Sequence, residues 1–319
     1  MGKVVQISIL GKISGNVNAD EVIGNRTTLK RMYSSTGEVL PFVSARAIKF
    51  AIRQAMLSRG LPIDPLNEDP TATEVLRLAD IGEPDKYVDD DLFGYMLTKG
   101  RSGTELGRSF RRHAPVAISY FKALHDTPIK SEFAAKFPRI GDKENNPVPF
   151  EVEVAEFIGR LNIVIYDYIG DFSKSTTLKD DVKRRLKEDL ILDKAERVKR
   201  LSEFLDIVLT PSYVLPRRTN SLSIPEYLVA LICISKKGPL PIYQYLDFKY
   251  ENQLLLDSSL LESLTNRPDI ASKVEGGEAR LYLIDYHQMA ENKIFQQNTV
   301  IRTDIKKVIS EACEFLFGR

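Results

Sequence analysis

From residue 4 to residue 13 hydrophobic and polar positions alternate: Val5, Ile7, Ile9 and Ile13 share one face, and Gln6, Ser8 and Lys12 share the other. A period of two predicts a half-buried strand. At Ser44 the period changes. Ile48, Ala51, Ile52, Ala55 and Met56 fall at i, i+3, i+4, i+7 and i+8, the core-facing stripe of a helix for which Ser44 supplies the N-cap oxygen. Two more alternating runs, 150–158 and 161–169, flank Gly159-Arg160 and predict an antiparallel hairpin. A long charged helix is predicted over 179–208 on the stripe Val182, Leu186, Leu190, Val198, Leu201 and Leu205, and an apolar strand over 227–234. Strand, helix, strand, strand, helix, strand is the order of a split βαβ core, so the predicted fold class is α+β, a modified ferredoxin-like or RRM-like core.

The stretch 61–149 breaks this pattern. It is rich in Pro, Gly and charge, and reads as an inserted helical and irregular region between core segments 1–60 and 150–319. Thr71-Ala-Thr-Glu74 has the form of a capping box. Asp89, Asp90 and Asp91 lack the alternating oxygen ligands of a calcium loop and are expected to open a helix, so no metal is inferred. Arg101, Arg108, Arg111, Arg112 and His113 lie among three glycines in an order that matches no phosphate-binding fingerprint; they form either a basic patch facing a neighbour or solvated surface. Beyond Pro239 the pattern predicts a helix capped at Ser259, a strand over 278–286, and a last helix with Ile305, Val308, Ile309, Ala312, Cys313 and Leu316 on one face.

Composition narrows the function classes. The chain has 319 residues, a net charge of +1, 43% hydrophobic and 28% charged residues, which excludes a disordered chain and a broadly cationic nucleic-acid scavenger. Basic surface must be local. Neither Cys233 nor Cys313 has metal-ligand spacing, and both are expected to be buried thiols in a reducing compartment. The opening MGKVVQISIL lacks a signal-peptide layout and no apolar run reaches the roughly 20 residues that span a bilayer, so the expectation is a cytoplasmic protein with no membrane partner and no cofactor.

Local basic surface is found in two places. On the helix, Arg46, Lys49 and Arg53 form a row off the apolar stripe with no acidic residue between Ser44 and Arg59. Either an anionic partner or solvent faces that row. Ahead of it, a polar loop carries Asn16, Asn18 and Asn25 among glycines with Arg26, Lys30 and Arg31, a composition suited to phosphates and sugars. Tyr166 and Tyr168 are candidates for base stacking or for cross-strand packing.

Taken together, the opening strand, N-A-D-E-x-x-G-N at 18–25, S-A-R-A-I-K-x-A-I-R at 44–53, D-L-F-G-Y-M at 91–96 and the segment PSYVLPRRTN at 211–220 resemble the DevR-type backbone subunits of Cascade, the CRISPR RNA-guided surveillance complex. The resemblance implies a palm with inserted fingers and a thumb hairpin near 209–224. It also implies copies that stack along a guide RNA, pair it with a target nucleic acid, and meet other Cascade subunits. Carried onto this chain, the palm contacts are Asn16, Asn18, Asn25, Arg26, Lys30, Ser44, Arg46, Lys49 and Arg53, and the thumb contacts are Leu215, Arg217, Arg218 and Asn220. Leu215 is the expected wedge between base pairs, the other reading being a residue that returns to the core.

The expected role is non-catalytic binding, in which the guide's base pairs read sequence and the protein grips the backbone. Two rivals remain. One is a filament ribonuclease acting through Asp20 or Glu21 in the loop after the first strand. The other is an RNA-binding auto-regulator that works alone.

Overall fold

The computed structural model describes residues 2–17, 19–68, 78–98, 109–136, 147–174, 176–186, 188–216, 223–295 and 299–318. Among them, twelve strands join one sheet. They are β1 (Val4–Gly15), β2 (Ala19–Ile23), β3 (Arg26–Leu29), β4 (Arg31–Tyr33), β5 (Val39–Val43), β6 (Val116–Ile118), β7 (Phe121–Ala123), β8 (Lys130–Lys136), β9 (Val148–Tyr166), β10 (Glu226–Ser235), β11 (Ala279–Asp285) and β12 (Val300–Arg302). The path runs β12-β11-β10-β1-β9-β7-β5-β4, with β6, β8 and β3 also pairing with β9 and β2 pairing with β3. The helices are α1 (Ala45–Ser58), α2 (Val88–Phe93), α3 (Asp180–Leu186), α4 (Lys194–Leu209), α5 (Ser258–Thr265), α6 (Pro268–Glu275) and α7 (Ile305–Phe317). None of the described helices is long and apolar enough to cross a membrane.

At the centre β1 pairs antiparallel with β9, from Val4↔Tyr166 to Gly15↔Ala155, and with β10 on its other side. The hairpin expected at Gly159-Arg160 is absent; β9 runs straight through both residues. Gly159 serves close approach instead of a turn. A Cβ there would lie 2.7 Å from the Lys122 carbonyl oxygen, and a Cβ on its cross-strand partner Gly11 would lie 3.0 Å from the Phe121 ring. The paired glycines make room for Phe121, which a glycine inside a strand allows. The second core strand is therefore supplied by β6 and β7, which lie inside the stretch expected to be an insertion.

One face of the sheet is packed by α1, α4 and α7 through Ile48, Ile52, Phe204, Leu205, Val208, Val308 and Leu316. The stripe of α1 is buried as its spacing predicts, and Ser44 caps it by accepting the Ala47 N–H at 3.3 Å. The other face is covered by the chain beyond Pro239: Leu240, Ile242, Leu246, Leu261, Leu264 and Ile270 close over Leu10, Leu231 and Cys233. β1 is thus buried on both faces, against the half-buried expectation. Gln6 tolerates this because its amide donates to the Leu240 carbonyl at 2.8 Å and accepts the Leu240 N–H at 2.6 Å, while Ser8 donates to Asn162 Oδ1 at 2.8 Å.

The long helix over 179–208 is also divided. α3 ends at Leu186, the chain takes positive φ at Leu190, and Phe172 N–H and Leu192 N–H cross-bond this segment to the turn at 170–172. Asp193 then caps α4 by accepting the Glu196 N–H at 2.9 Å. α5 begins two residues earlier than expected, capped by Asp257 instead of Ser259.

Candidate nucleic-acid interface

The polar stretch after β1 is a pair of hairpins held against β9 by glutamates. β2 and β3 are joined through Gly24 and Asn25, with Gly24 at φ +64, the left-handed backbone that a two-residue hairpin turn demands. Asn25 is exposed, and its carbonyl accepts the Glu151 N–H at 2.9 Å. Arg26 donates Nε to Glu151 at 2.6 Å. Arg31 donates to Glu153 at 2.7 Å, and the same carboxylate accepts the Leu29 N–H at 3.0 Å. Asn16 is buried, with Nδ2 donating to the Glu153 carbonyl at 2.7 Å. Asn16 and Arg26 therefore fix the loop to the sheet. The Lys30 carbonyl accepts the Phe42 N–H at 3.1 Å. Asn18 lies outside the described residues. Asp20 belongs to β2; Glu21 is exposed, its backbone exchanging bonds with the Thr28 hydroxyl.

The row on α1 is likewise less free than its sequence suggests. Arg53 donates Nε to Asp89 on α2 at 2.8 Å, so a carboxylate distant in sequence neutralises it. Lys49 Nζ and the Arg53 guanidinium sit 5.3 Å and 5.1 Å from the ring centre of Phe93, the last residue of α2. Burial, with Arg53 adding, pulls Lys49 below its ordinary value. Arg46 is exposed one turn nearer the N-terminus, where the helix dipole already favours anions. Of the three cations, Arg46 is the one fully presented to a partner.

On the segment before β10, Leu215 is 0% exposed and packs in the main core, whereas Val214 is 43% exposed. Leu215 is thus a packing residue in this conformation, a correction to its reading as a wedge. Its N–H donates to the Ser223 carbonyl at 2.8 Å, and the Tyr213 and Tyr227 hydroxyls meet at 2.6 Å. Arg217, Arg218 and Asn220 lie outside the described residues.

The arginine-rich stretch near 110 divides too. Arg111 is exposed, but Arg112 is buried on Asp91 and also donates to carbonyls of Asp91, Tyr168 and Asp171. Tyr166 and Tyr168 stack on each other at 5.7 Å, and Tyr168 donates its hydroxyl to the Ala114 carbonyl at 2.9 Å, the cross-packing alternative. Asp89, Glu151 and Glu153 are the residues that sequence reasoning missed. The alternation of Phe150-Glu-Val-Glu-Val154 placed two glutamates on one strand face, yet nothing local said which cations they would meet.

A family model described as the CRISPR-associated negative auto-regulator DevR/Csa2 matches residues 14–243. The chain belongs to this DevR/Csa2 family. Two solved structures share the fold at 14% identity each: one titled a CRISPR RNA-guided surveillance complex, with a TM-score of 0.55, and one titled a CRISPR RNA-guided surveillance complex, pre-nicking, with a TM-score of 0.58. Each alignment covers 97% of this chain and 99% of the other. Comparison with curated proteins finds no match. The DevR/Csa2 match takes in every candidate contact from Asn16 to Asn220, on β1 to β3, on α1 and on the segment before β10.

Proposed function

We propose that this DevR/Csa2 chain is a non-catalytic, RNA-binding backbone subunit of a CRISPR surveillance complex, several copies of which line a guide RNA and present it to a target. The observation that carries this reading is the covering of the core sheet on both faces. The strands β10-β1-β9-β6/β7, with α1 and α4 as crossovers, form the split βαβ palm of the proposal. Residues beyond Pro239 close the face on which an RNA-recognition motif stacks bases. Without an open stacking face, the protein is left to grip phosphate and sugar with Arg46, Lys49, Lys30 and Asn25, and with Arg217, Arg218 and Asn220 of the thumb, while base pairing reads sequence.

Contacts between copies are assigned to exposed apolar side chains at two hairpins, Val22 and Ile23 on β2 and Phe133 and Val148 where β8 meets β9. Head-to-tail stacking through unlike surfaces gives an open filament. The fingers in this reading are the described residues around α2, and other subunits of the complex would contact the filament at its ends.

Affinity for RNAs of unrelated sequence is expected to be equal, to fall with salt, and to come with particle mass that rises stepwise with RNA length. A mass fixed at one chain per RNA would favour the second reading that the family's description supports, an auto-regulator acting alone. Adding magnesium or manganese with guide and complementary target RNA should yield no fragments. Regular fragments lost in Asp20→Ala, with binding intact, would replace this proposal with the ribonuclease.

A further inference from the structure

Outside the proposed RNA path, three carboxylates converge where the chain leaves α1 and returns to α2. Oxygen atoms of Asp64, Asp80 and Asp90 all lie within 4.8 Å of one another. Asp64 is 5% exposed and Asp90 1%. Arg53, the neighbouring cation, is already bonded to Asp89, and Asp89 also accepts the Asp64 N–H at 2.9 Å. Among the described residues, Asp64 accepts the Leu66 and Ile81 N–H groups, and Asp90 accepts the Glu83 N–H at 2.8 Å. Single amides do not balance buried negative charge.

A second observation is independent of the acids. Tyr95 is 6% exposed, yet its hydroxyl is buried with no hydrogen-bond partner among the described residues. Its ring lies against Gly82, where a built Cβ would be 3.0 Å from Tyr95 Cε2. Gly82 sits between Ile81 and Glu83, the two residues whose amides Asp64 and Asp90 accept. A buried phenol oxygen without a partner, on a ring packed against the turn whose flanking amides serve these carboxylates, is a further hard oxygen ligand.

We infer that Asp64, Asp80 and Asp90, with the Tyr95 hydroxyl, form a binding site for one divalent hard cation that fastens the chain after α1 to α2. An all-oxygen donor set selects calcium, magnesium or manganese over zinc or copper. Oxygen atoms on one calcium, at about 2.4 Å each, stand no more than about 4.8 Å apart, so the three carboxylates are close enough to share one ion. The site is buried, so the cation is structural and has no approach for a phosphodiester. By holding α2 in place it also holds Asp89 and Phe93 against Arg53 and Lys49.

The test uses the full-length, RNA-free chain stripped with chelator. Adding calcium, magnesium or manganese should raise Tm by several degrees, with a constant increment for each tenfold rise in cation above Kd. Asp90→Asn should fold and lose that gain. Because the chain has 13 tyrosines and no tryptophan, terbium emission excited through tyrosine gives a second readout. Emission displaced by calcium should fall in Asp90→Asn and in Tyr95→Phe, the latter keeping all three carboxylates should the former fail to fold. A Tm unmoved by all three cations overturns the inference, as does a gain in Asp90→Asn equal to that of the parent chain. Terbium emission unchanged in Tyr95→Phe would remove Tyr95 from the site and overturn it as stated.

Discussion

Arg53 on α1 donates its Nε to Asp89 Oδ2 on α2 at 2.8 Å, with 27% of the arginine side chain and 1% of the aspartate exposed. A cation that the sequence places in a basic row is thereby tied to the fold, two turns from Arg46, which is not buried. The two arginines should separate in experiment. Arg53→Ala strands a buried carboxylate and is expected to cost about 2 kcal/mol, short of the roughly 3–5 kcal/mol of a fully buried pair because Arg53 keeps part of its side chain in water. Arg46→Ala should leave stability unchanged and reduce the slope of log affinity for RNA against log salt by about 0.7. Thermal melts and salt titrations on both variants check this; equal losses of Tm would remove the distinction.

Leu215 and Val214 are adjacent but belong to different environments, core and surface. Truncating Leu215 to Ala is expected to cost about 2–5 kcal/mol through lost burial and the cavity left behind. Val214→Ala should cost less than about 0.5 kcal/mol. Urea unfolding of the two variants gives the comparison. Leu215→Ala as stable as the parent chain would mean that the segment leaves the core in solution, restoring its reading as a wedge.

Where periodicity was strong, the sequence was legible: the stripe of α1, the apolar runs of β10 and β11, and the last helix lie where their spacing puts them. Three misreadings have separate physical causes. Gly159 was taken for a turn because a strand glycine and a turn glycine look alike until the neighbouring Phe121 ring is placed. Asp193-x-x-Glu196 has the form of a helix start and was passed over in favour of a longer apolar stripe. The third is charge: Asp89, Glu151 and Glu153 neutralise cations 36, 125 and 122 positions away, pairings fixed by tertiary contact alone. The family resemblance was legible in short motifs, and the match over residues 14–243 bears it out.

Lys49 makes the proposed RNA contact sensitive to pH. Burial disfavours its charge and Arg53 adds repulsion, so its pKa in the folded chain lies below 10.5. The folded chain therefore releases this proton before the unfolded chain does, and the stability cost of burying the charge is relieved as pH rises through the lowered value towards 10.5. RNA acts in the opposite sense, since a phosphate favours the charged amine. Binding should take up a proton on the alkaline side, and affinity should weaken there sooner than an ordinary lysine would allow. Lys49→Arg, which keeps its charge, should flatten the profile on the alkaline side below pH 10.5. Parallel profiles for the two chains at fixed salt would take Lys49 out of the contact.

The interior holds a pairing of another kind. Asp91 on α2 is fully buried between two arginines: Arg200 on α4 donates to its Oδ2 at 2.8 Å, Arg112 bonds its Oδ1, and the Gly170 N–H adds contacts at 3.0 and 3.1 Å. Arg200 also donates to the Pro84 and Asp85 carbonyls and to the Glu196 carboxylate, and Arg112 to the Tyr168 and Asp171 carbonyls and the Thr176 hydroxyl. Asp91 is thus the negative centre joining α2, the turn after β9 and α4. Asp91→Asn keeps the shape but leaves buried Arg112 without a carboxylate and Arg200 with Glu196 alone, and is expected to cost about 3–5 kcal/mol. The exposed pair of Arg26 and Glu151 is the control, because Glu151→Gln should cost about 0–1 kcal/mol and lose that effect as salt screens it. Urea unfolding at low and high salt separates the two. The Asp91→Asn penalty should persist at high salt; a penalty that fades with salt as the Glu151→Gln penalty does would mean that water reaches Asp91 and that α2 is not anchored there.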